Sequence, residues 1–427
     1  MLFNRKFRIK KKAIFPGYDG LIVPVKNGYE SEGSFTGDEN YDKVLMDWLR
    51  KHYKEQGKHV VDVGCDFDVG CVCILTELGK PYLFRINQIC WIGLKKKFNE
   101  ALLVGIPNGE KVVDFSFIKQ GIRFITSVGN VYGCGYNEFG NLGIGNWKQQ
   151  PRNPVLMQMP DNEKVIKLSR GKCNLVITKE NQVYGCGYNG DKRLGPKNEY
   201  YICLPTLLKK KHFDNEKVID IHSGAKHSIF LTEKDNVFAC GSNAFGQLGH
   251  GNVKGMSFPT KITSLKNVKS ICAGNYTSFF ITKENGKNKV YMCGENDCDV
   301  VIKSAADRIR TTTEIEFFRG KKIVQIDKGG LNVYFISKHG EIYVSGPLLK
   351  NESEKVKGIR LLNVKCMKER LRNQSSEFFL EGRKERRTYL IENMPVPSSL
   401  FITGDPLNLN EESEVKTQKP EPCALKK

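Results

Sequence analysis

The sequence predicts an all-β fold, a seven-bladed propeller of four-stranded blades with a short N-terminal extension. Two observations carry that prediction. The segment Val131-Tyr-Gly-Cys-Gly-Tyr-Asn137 recurs as Val183-Tyr-Gly-Cys-Gly-Tyr-Asn189, Val237-Phe-Ala-Cys-Gly-Ser-Asn243 and Val290-Tyr-Met-Cys-Gly-Glu-Asn296, and its cysteines, Cys134, Cys186, Cys240 and Cys293, stand 52, 54 and 53 residues apart. A period near fifty in a chain of 427 residues marks a repeat array. Each copy is also flanked by short β-branched and aromatic runs bounded by turn residues, which read as strands. A small sheet of this kind cannot bury both faces alone; neighbours stacked around an axis can, and closure limits exposed sheet edges.

The parts of each copy come in one order. A first apolar run (Val112-Val-Asp-Phe, Val165-Ile-Lys-Leu, Val218-Ile-Asp-Ile, Val268-Lys-Ser-Ile) leads to a polar, glycine-bearing turn such as Ser223-Gly-Ala-Lys-His227. A second run follows (Leu175-Val-Ile-Thr, Ile229-Phe-Leu-Thr, Phe279-Phe-Ile-Thr), then a tight charged turn, then the Val-Tyr-x-Cys-Gly run. Weaker copies precede the strong set at Val60-Val-Asp-Val and follow it at Ile323-Val-Gln-Ile; a shortened one is inferred from Leu361-Leu-Asn-Val through Phe378-Phe-Leu and Tyr389-Leu-Ile. First runs at 60, 112, 165, 218, 268, 323 and 361 make seven blades. Leu400-Phe-Ile-Thr is the expected closing strand, with Leu21-Ile-Val-Pro as the alternative.

The domains follow: a basic extension with a short helix over 1–57, the propeller over 58–404, and a polar, Pro-bearing, disordered tail over 405–427. The helix is expected at Asp42 to Tyr53, where Val44, Leu45, Trp48 and Leu49 share one side.

Composition narrows the function. There is no run of eighteen apolar residues, so no membrane span is expected, and the N-terminus lacks a signal-like apolar core. The chain is expected inside the cell, in nucleus or cytoplasm. Its fourteen cysteines then read as reduced thiols. The net charge of +20 favours acidic partners, among them DNA or chromatin, or else keeps the surface solvated. Six basic residues, Arg5, Lys6, Arg8, Lys10, Lys11 and Lys12, form a terminal run suited to nuclear import or to DNA phosphates.

No catalytic or metal signature stands out, and no cofactor is expected. The repeated glycines end strands or let backbones approach. The repeated cysteines sit in separate blades and read as buried small side chains. Cys65-Asp-Phe-Asp-Val-Gly-Cys-Val-Cys73 lacks the second Cys pair that zinc needs. His227 has no nucleophile motif beside it and is expected to bond backbone within its blade.

The stretches Ser223-Gly-Ala-Lys-His-Ser-Ile-Phe-Leu-Thr and Val237-Phe-Ala-Cys-Gly-Ser-Asn-Ala-Phe-Gly-Gln-Leu-Gly-His-Gly251 resemble the repeat of the regulator of chromosome condensation family. The resemblance covers roughly 58 to 404 and implies a seven-bladed propeller. Family repeats often carry Trp where this chain has Cys134, Cys186, Cys240 and Cys293. The Gly-x-x-His turn survives only at His227; Gly171-Lys-Cys-Asn174 and Gly274-Asn-Tyr-Thr277 have lost it.

The resemblance implies a guanine-nucleotide exchange factor for a Ran-like small GTPase, which binds the nucleotide-free state and makes no covalent bond. The prototype's acidic residue before the turn histidine corresponds to Lys226, Cys173 and Tyr276; only the first copy offers an acid, Asp68. Asp68, Lys226 and His227 are therefore the candidate partner-binding residues. The alternative is a non-catalytic protein-interaction scaffold on the same repeats. Exchange predicts an acidic face beside the loops at 66–70, 171–174 and 224–227; a scaffold does not require one.

Overall fold

The computed structural model describes residues 15–361 apart from 17–18, 26–27, 35–38, 57–59, 67–69, 86–100, 148–149, 170, 172, 196–198, 297–307, 330–331 and 346–358. Within them the chain builds six antiparallel four-stranded sheets in sequence. Their first strands are Val60–Asp66, Val112–Ile118, Val165–Leu168, Val218–Ser223, Val268–Ala273 and Ile323–Gly329. We number these sheets as blades one to six. First strands touch between blades two and three, four and five, and five and six, and the first strands of blades two and four touch the second strands of blades one and three, which places the first strands around the axis. Each carries a bulge near its start, as between Val112 and Asp114 or Val218 and Asp220.

The ring therefore has six four-stranded blades among the described residues, not seven. The inferred seventh copy fails at its first run. Arg360–Leu361 is not an inner strand but the outer strand of blade six, paired with Tyr343 and Val344. Phe378, Tyr389 and the expected closing strand at Leu400 lie outside the described residues, as does the tail over 405–427. Leu21, the alternative, lies in Asp19–Val25, the middle strand of a three-stranded antiparallel sheet with Phe15–Pro16 and Gly28–Ser34. Phe15–Pro16 touches the first strands of both blade one and blade six, so this sheet joins the two ends of the array.

Alternating side chains explain why blade one needs that cover. Cys71, Cys73, Leu75 and Leu83 face blade two, where they meet Phe115, Phe117, Ile122 and Phe124. Val72, Ile74 and Phe84 point the other way and pack with Ile22, Leu45, Met46 and Leu49. Leu45, Met46 and Leu49 belong to helix Glu39–Gln56, longer than the stretch expected. Trp48 sits with its ring centroid 5.3 Å from both Tyr82 and Phe84. The helix thus covers the blade-one face that meets no four-stranded sheet among the described residues. No helix among the described residues is long and apolar enough to cross a membrane.

The recurring Cys-Gly pair has a geometric cause. Gly135, Gly187, Gly241 and Gly294 all have φ between 101° and 110°, and a Cβ on Gly241 would lie 2.6 Å from the Lys226 carbonyl. Only glycine lets the third strand end so close to the neighbouring turn. The preceding cysteines are buried and reach back one blade: Cys186 Sγ to the Asn141 carbonyl at 3.7 Å, Cys240 to Arg193 at 3.7 Å, Cys293 to Gln247 at 3.3 Å. Asn141, Arg193 and Gln247 hold the same place in three successive loops. Those loops are fixed by Asn137, Asn189 and Asn243, whose Oδ1 atoms each accept the N–H of Leu142, Leu194 or Leu248 at 2.9 Å. The thiols are inter-blade fasteners as well as filler.

Candidate partner-binding face

Antiparallel order brings the first-to-second-strand turns and the loops after the third strands to one rim. At this rim side chains and backbone link consecutive blades. Ser116 Oγ donates to the Ser169 carbonyl at 2.8 Å, and the Cys173 N–H to Ser223 Oγ at 3.2 Å. The Ala225 N–H donates to the Asn275 carbonyl at 2.9 Å, and the Arg193 guanidinium to the Ala225 carbonyl. Blades two to five thus present one fastened surface.

His227 is part of the fastening and not of the exposed face. It is fully buried, and its Nε2 lies 2.9 Å from Ser278 Oγ in blade five. Ser278 directs its one proton to the Gln247 carbonyl at 2.8 Å, so the imidazole is the donor in the first bond. Burial, with Lys328 and Arg193 nearby, pushes its pKa down to about 3. The ring is neutral at physiological pH. The expected bond to backbone within its own blade is replaced by a side-chain bond to the next.

Lys226, one residue earlier, is exposed, and its carbonyl accepts the Ser242 N–H at 2.8 Å. Lys254, just before the outer strand of blade four, and Arg308 and Arg310, which open that of blade five, are exposed as well. Phe245 and Tyr276 pack at 4.8 Å between ring centroids, with the Arg308 guanidinium 5.2 Å from the Phe245 ring. Two carboxylates here are matched: Asp191 pairs with Arg193, and Glu295 stands opposite Arg308 in the sheet register. Beneath the turns lie three buried cations, Arg123, Arg193 and Lys328. Arg123 donates to Asn174 Oδ1, and burial lowers its pKa to about 10. Beside Lys226 this face is cationic and aromatic, while Glu138 and Glu199 are exposed on the loops after the third strands of blades two and three.

Strand register revises the equivalences read from the sequence. Cross-strand pairs Asn174–Cys186, Ser228–Cys240 and Ser278–Cys293 align Cys173 and Thr277 with His227, so Cys173 does not match Lys226; Tyr276 does. Asp68 and the basic run Arg5, Lys6, Arg8, Lys10, Lys11 and Lys12 lie outside the described residues. Arg193, Arg123 and Arg308 escaped sequence reasoning. Only Arg193 left a signal, an arginine where sister loops carry Asn141 and Gln247. Among the described residues no group of three or more His, Cys, Asp or Glu could hold a metal ion.

Comparison with known proteins agrees with this architecture. The regulator of chromosome condensation (RCC1) repeat matches residues 128–172, 180–231 and 234–281, and a second form of the repeat matches 218–247. The chain is 29% identical over 226 residues to the E3 ubiquitin-protein ligase HERC2 of Mus musculus, covering 52% of this chain and 5% of that protein. It is 30% identical over 222 residues to the ultraviolet-B receptor UVR8 of Arabidopsis thaliana, covering 51% and 49%. The chain thus spans a twentieth of the first relative and about half of the second. Yeast RCC1 (Prp20), in its crystal structure with Kap60, superposes with a TM-score of 0.60 at 18% identity over 85% of this chain and 83% of that one. Human WBSCR16 superposes with 0.59 at 17% identity over 75% and 85%. At these identities the structural likeness is one of fold.

Proposed function

Because this chain belongs to the RCC1 repeat family, we propose that it is a binding propeller that holds an acidic protein surface on its turn face and performs no covalent chemistry. The observation that carries this reading is the set of exposed cations Lys226, Lys254, Arg308 and Arg310, with Lys226 on a turn already fastened to the next blade and the two arginines on an outer strand. Such a surface gains on-rate and selectivity from complementary charge. Preorganisation spares it the cost of ordering loops on binding.

Nucleotide exchange on a small GTPase is the second reading. The yeast neighbour Prp20 has been characterised for binding to Gsp1p and histones, which makes a GTPase partner reasonable for this chain. Against exchange stands the character of the face. Where an acid is expected before the turn histidine, blade four has Lys226 and blade five has Tyr276.

The deciding experiment measures nucleotide release from a Ran-type GTPase at micromolar protein. In parallel, partner capture is compared between the wild type and a Lys226→Glu/Arg308→Glu variant of unchanged melting temperature. Unchanged release with capture lost in the variant supports the binding reading. Accelerated release establishes exchange in its place. Capture that survives the charge reversal rejects this face.

A further inference from the structure

Phe139 and Phe245 occupy the same place in the loops that leave blades two and four, yet their surroundings differ. Beside Phe245 the outer-strand pair is Glu295 and Arg308. Beside Phe139 the corresponding pair is Tyr188 and Tyr201. The Phe139 ring stacks on Tyr201 at 5.6 Å between centroids with 18° between planes, and meets Tyr188 at 5.8 Å and Tyr136 at 6.0 Å edge-on. Lys119 Nζ lies 4.8 Å from the Phe139 ring centre, and Arg193 lies 5.2 Å from that of Tyr188.

The repeat does not need these rings, since its sister junction closes with a Glu–Arg pair. Nor does burial account for them, because Tyr201 remains 47% exposed. Tyr200 and Trp147, on the flanking segments, are exposed as well. A half-exposed ring already stacked on one side, with cations at hand, suits a planar π-face followed by a phosphate. Sequence-tolerant single-strand sites combine these two features. A carboxylate-rich peptide would use the cations and leave the rings idle.

We propose that the Tyr136–Phe139–Tyr188–Tyr201 platform at the junction of blades two and three is a single-stranded nucleic-acid site. In it an unpaired base stacks on Tyr201, and Lys119 meets an adjoining phosphate. The site is distinct from the Lys226 group, so its failure leaves the protein-binding reading untouched.

The test is fluorescence anisotropy of a labelled oligothymidylate with the full chain. Tyr201→Ala is expected to weaken binding about tenfold, the effect of losing one base–aromatic stack. Tyr201→Phe is expected to keep the affinity, both variants melting like the wild type. Lys119→Glu should weaken binding and flatten its salt dependence. A duplex of the same sequence should bind less well, because its bases are already stacked. The proposal is overturned if Tyr201→Ala binds normally while removal of residues 1–12 abolishes binding. It is equally overturned if duplex and single strand bind alike, or if a glutamate-rich peptide binds with the same Tyr201 dependence and the oligonucleotide does not bind.

Discussion

His227 in blade four and Ser278 in blade five are joined at 2.9 Å, the imidazole giving its Nε2 proton to a hydroxyl whose own proton goes to the Gln247 carbonyl. Burial, with Lys328 and Arg193 nearby, and not this bond, holds the ring neutral. With a folded pKa near 3, against an ordinary unfolded value of about 6.5, the unfolded chain binds the extra proton between those limits. His227 therefore contributes stability that is complete above about pH 6.5 and is lost progressively as the pH falls toward 3. Imidazole NMR should show a neutral His227 at pH 5, whereas a charged ring there would refute the assignment. His227→Ala, which removes the bond and opens a cavity between blades, should cost about 2–4 kcal/mol in urea unfolding at pH 7.

The carboxylates before two first strands also lose their contribution in acid, at lower pH than an ordinary histidine titrates. Glu216 accepts from Thr232 Oγ1 at 2.5 Å and from Asn236 Nδ2 at 2.8 Å; Glu110 accepts from Thr126 at 2.6 Å, Asn130 at 2.8 Å and Tyr132 at 3.1 Å. Burial works to raise both pKa values, but these hydrogen bonds prevail and each is lowered. The stability they provide is present above the unfolded carboxylate value and is lost as the pH falls through the folded one. Glu216→Gln should cost about 1–2 kcal/mol at pH 7 and shrink toward nothing in acid. An equal cost at pH 7 and pH 3 would show that the charge is irrelevant.

Much of this architecture is legible in the sequence because inner strands repeat a strict apolar pattern. The runs at 60, 112, 165, 218, 268 and 323 all begin first strands. Outer strands carry no such pattern. Leu102–Leu103 and Val155–Leu156 are two residues long and pack one face at most, so nothing marks them in the sequence. Arg360–Leu361 is of this kind, and its apolar neighbours imitate a new blade only 38 residues after Ile323, well short of the period. The candidate face was half legible. Lys226 stood out because its turn departs from the family pattern, whereas Arg193 and Arg308 reach the same rim from loops and outer strands that the repeat does not constrain.

Helix Glu39–Gln56 gives a third prediction. Its Leu49 is fully buried against blade one, and Trp48 meets Tyr82 and Phe84. Leu49→Ala should destabilise by about 2–4 kcal/mol. Because the uncovered sheet face is apolar, Leu49→Asp should in addition promote self-association, measurable by light scattering. A Leu49→Asp protein that melts and sediments like the wild type would mean that the helix does not cover this blade in solution.

The glycine that follows each repeated cysteine ties stability to binding. At Gly241 φ is +110°, and a Cβ would stand 2.6 Å from the Lys226 carbonyl and 2.8 Å from the His227 Cα, backbone atoms that cannot swing aside. Gly241→Ala must therefore adopt a disfavoured backbone conformation and push the Lys226 turn outward, at a cost of about 1–3 kcal/mol. Its effect on partner capture should match or exceed that of Lys226→Ala, although the substitution leaves every charge in place. Gly286, also at positive φ but with nothing within 4 Å of a Cβ, provides the control. Gly286→Ala should show the smaller strain of φ alone and bind normally. If Gly241→Ala destabilises no more than Gly286→Ala, the close approach of strand end and turn is not what fixes glycine there.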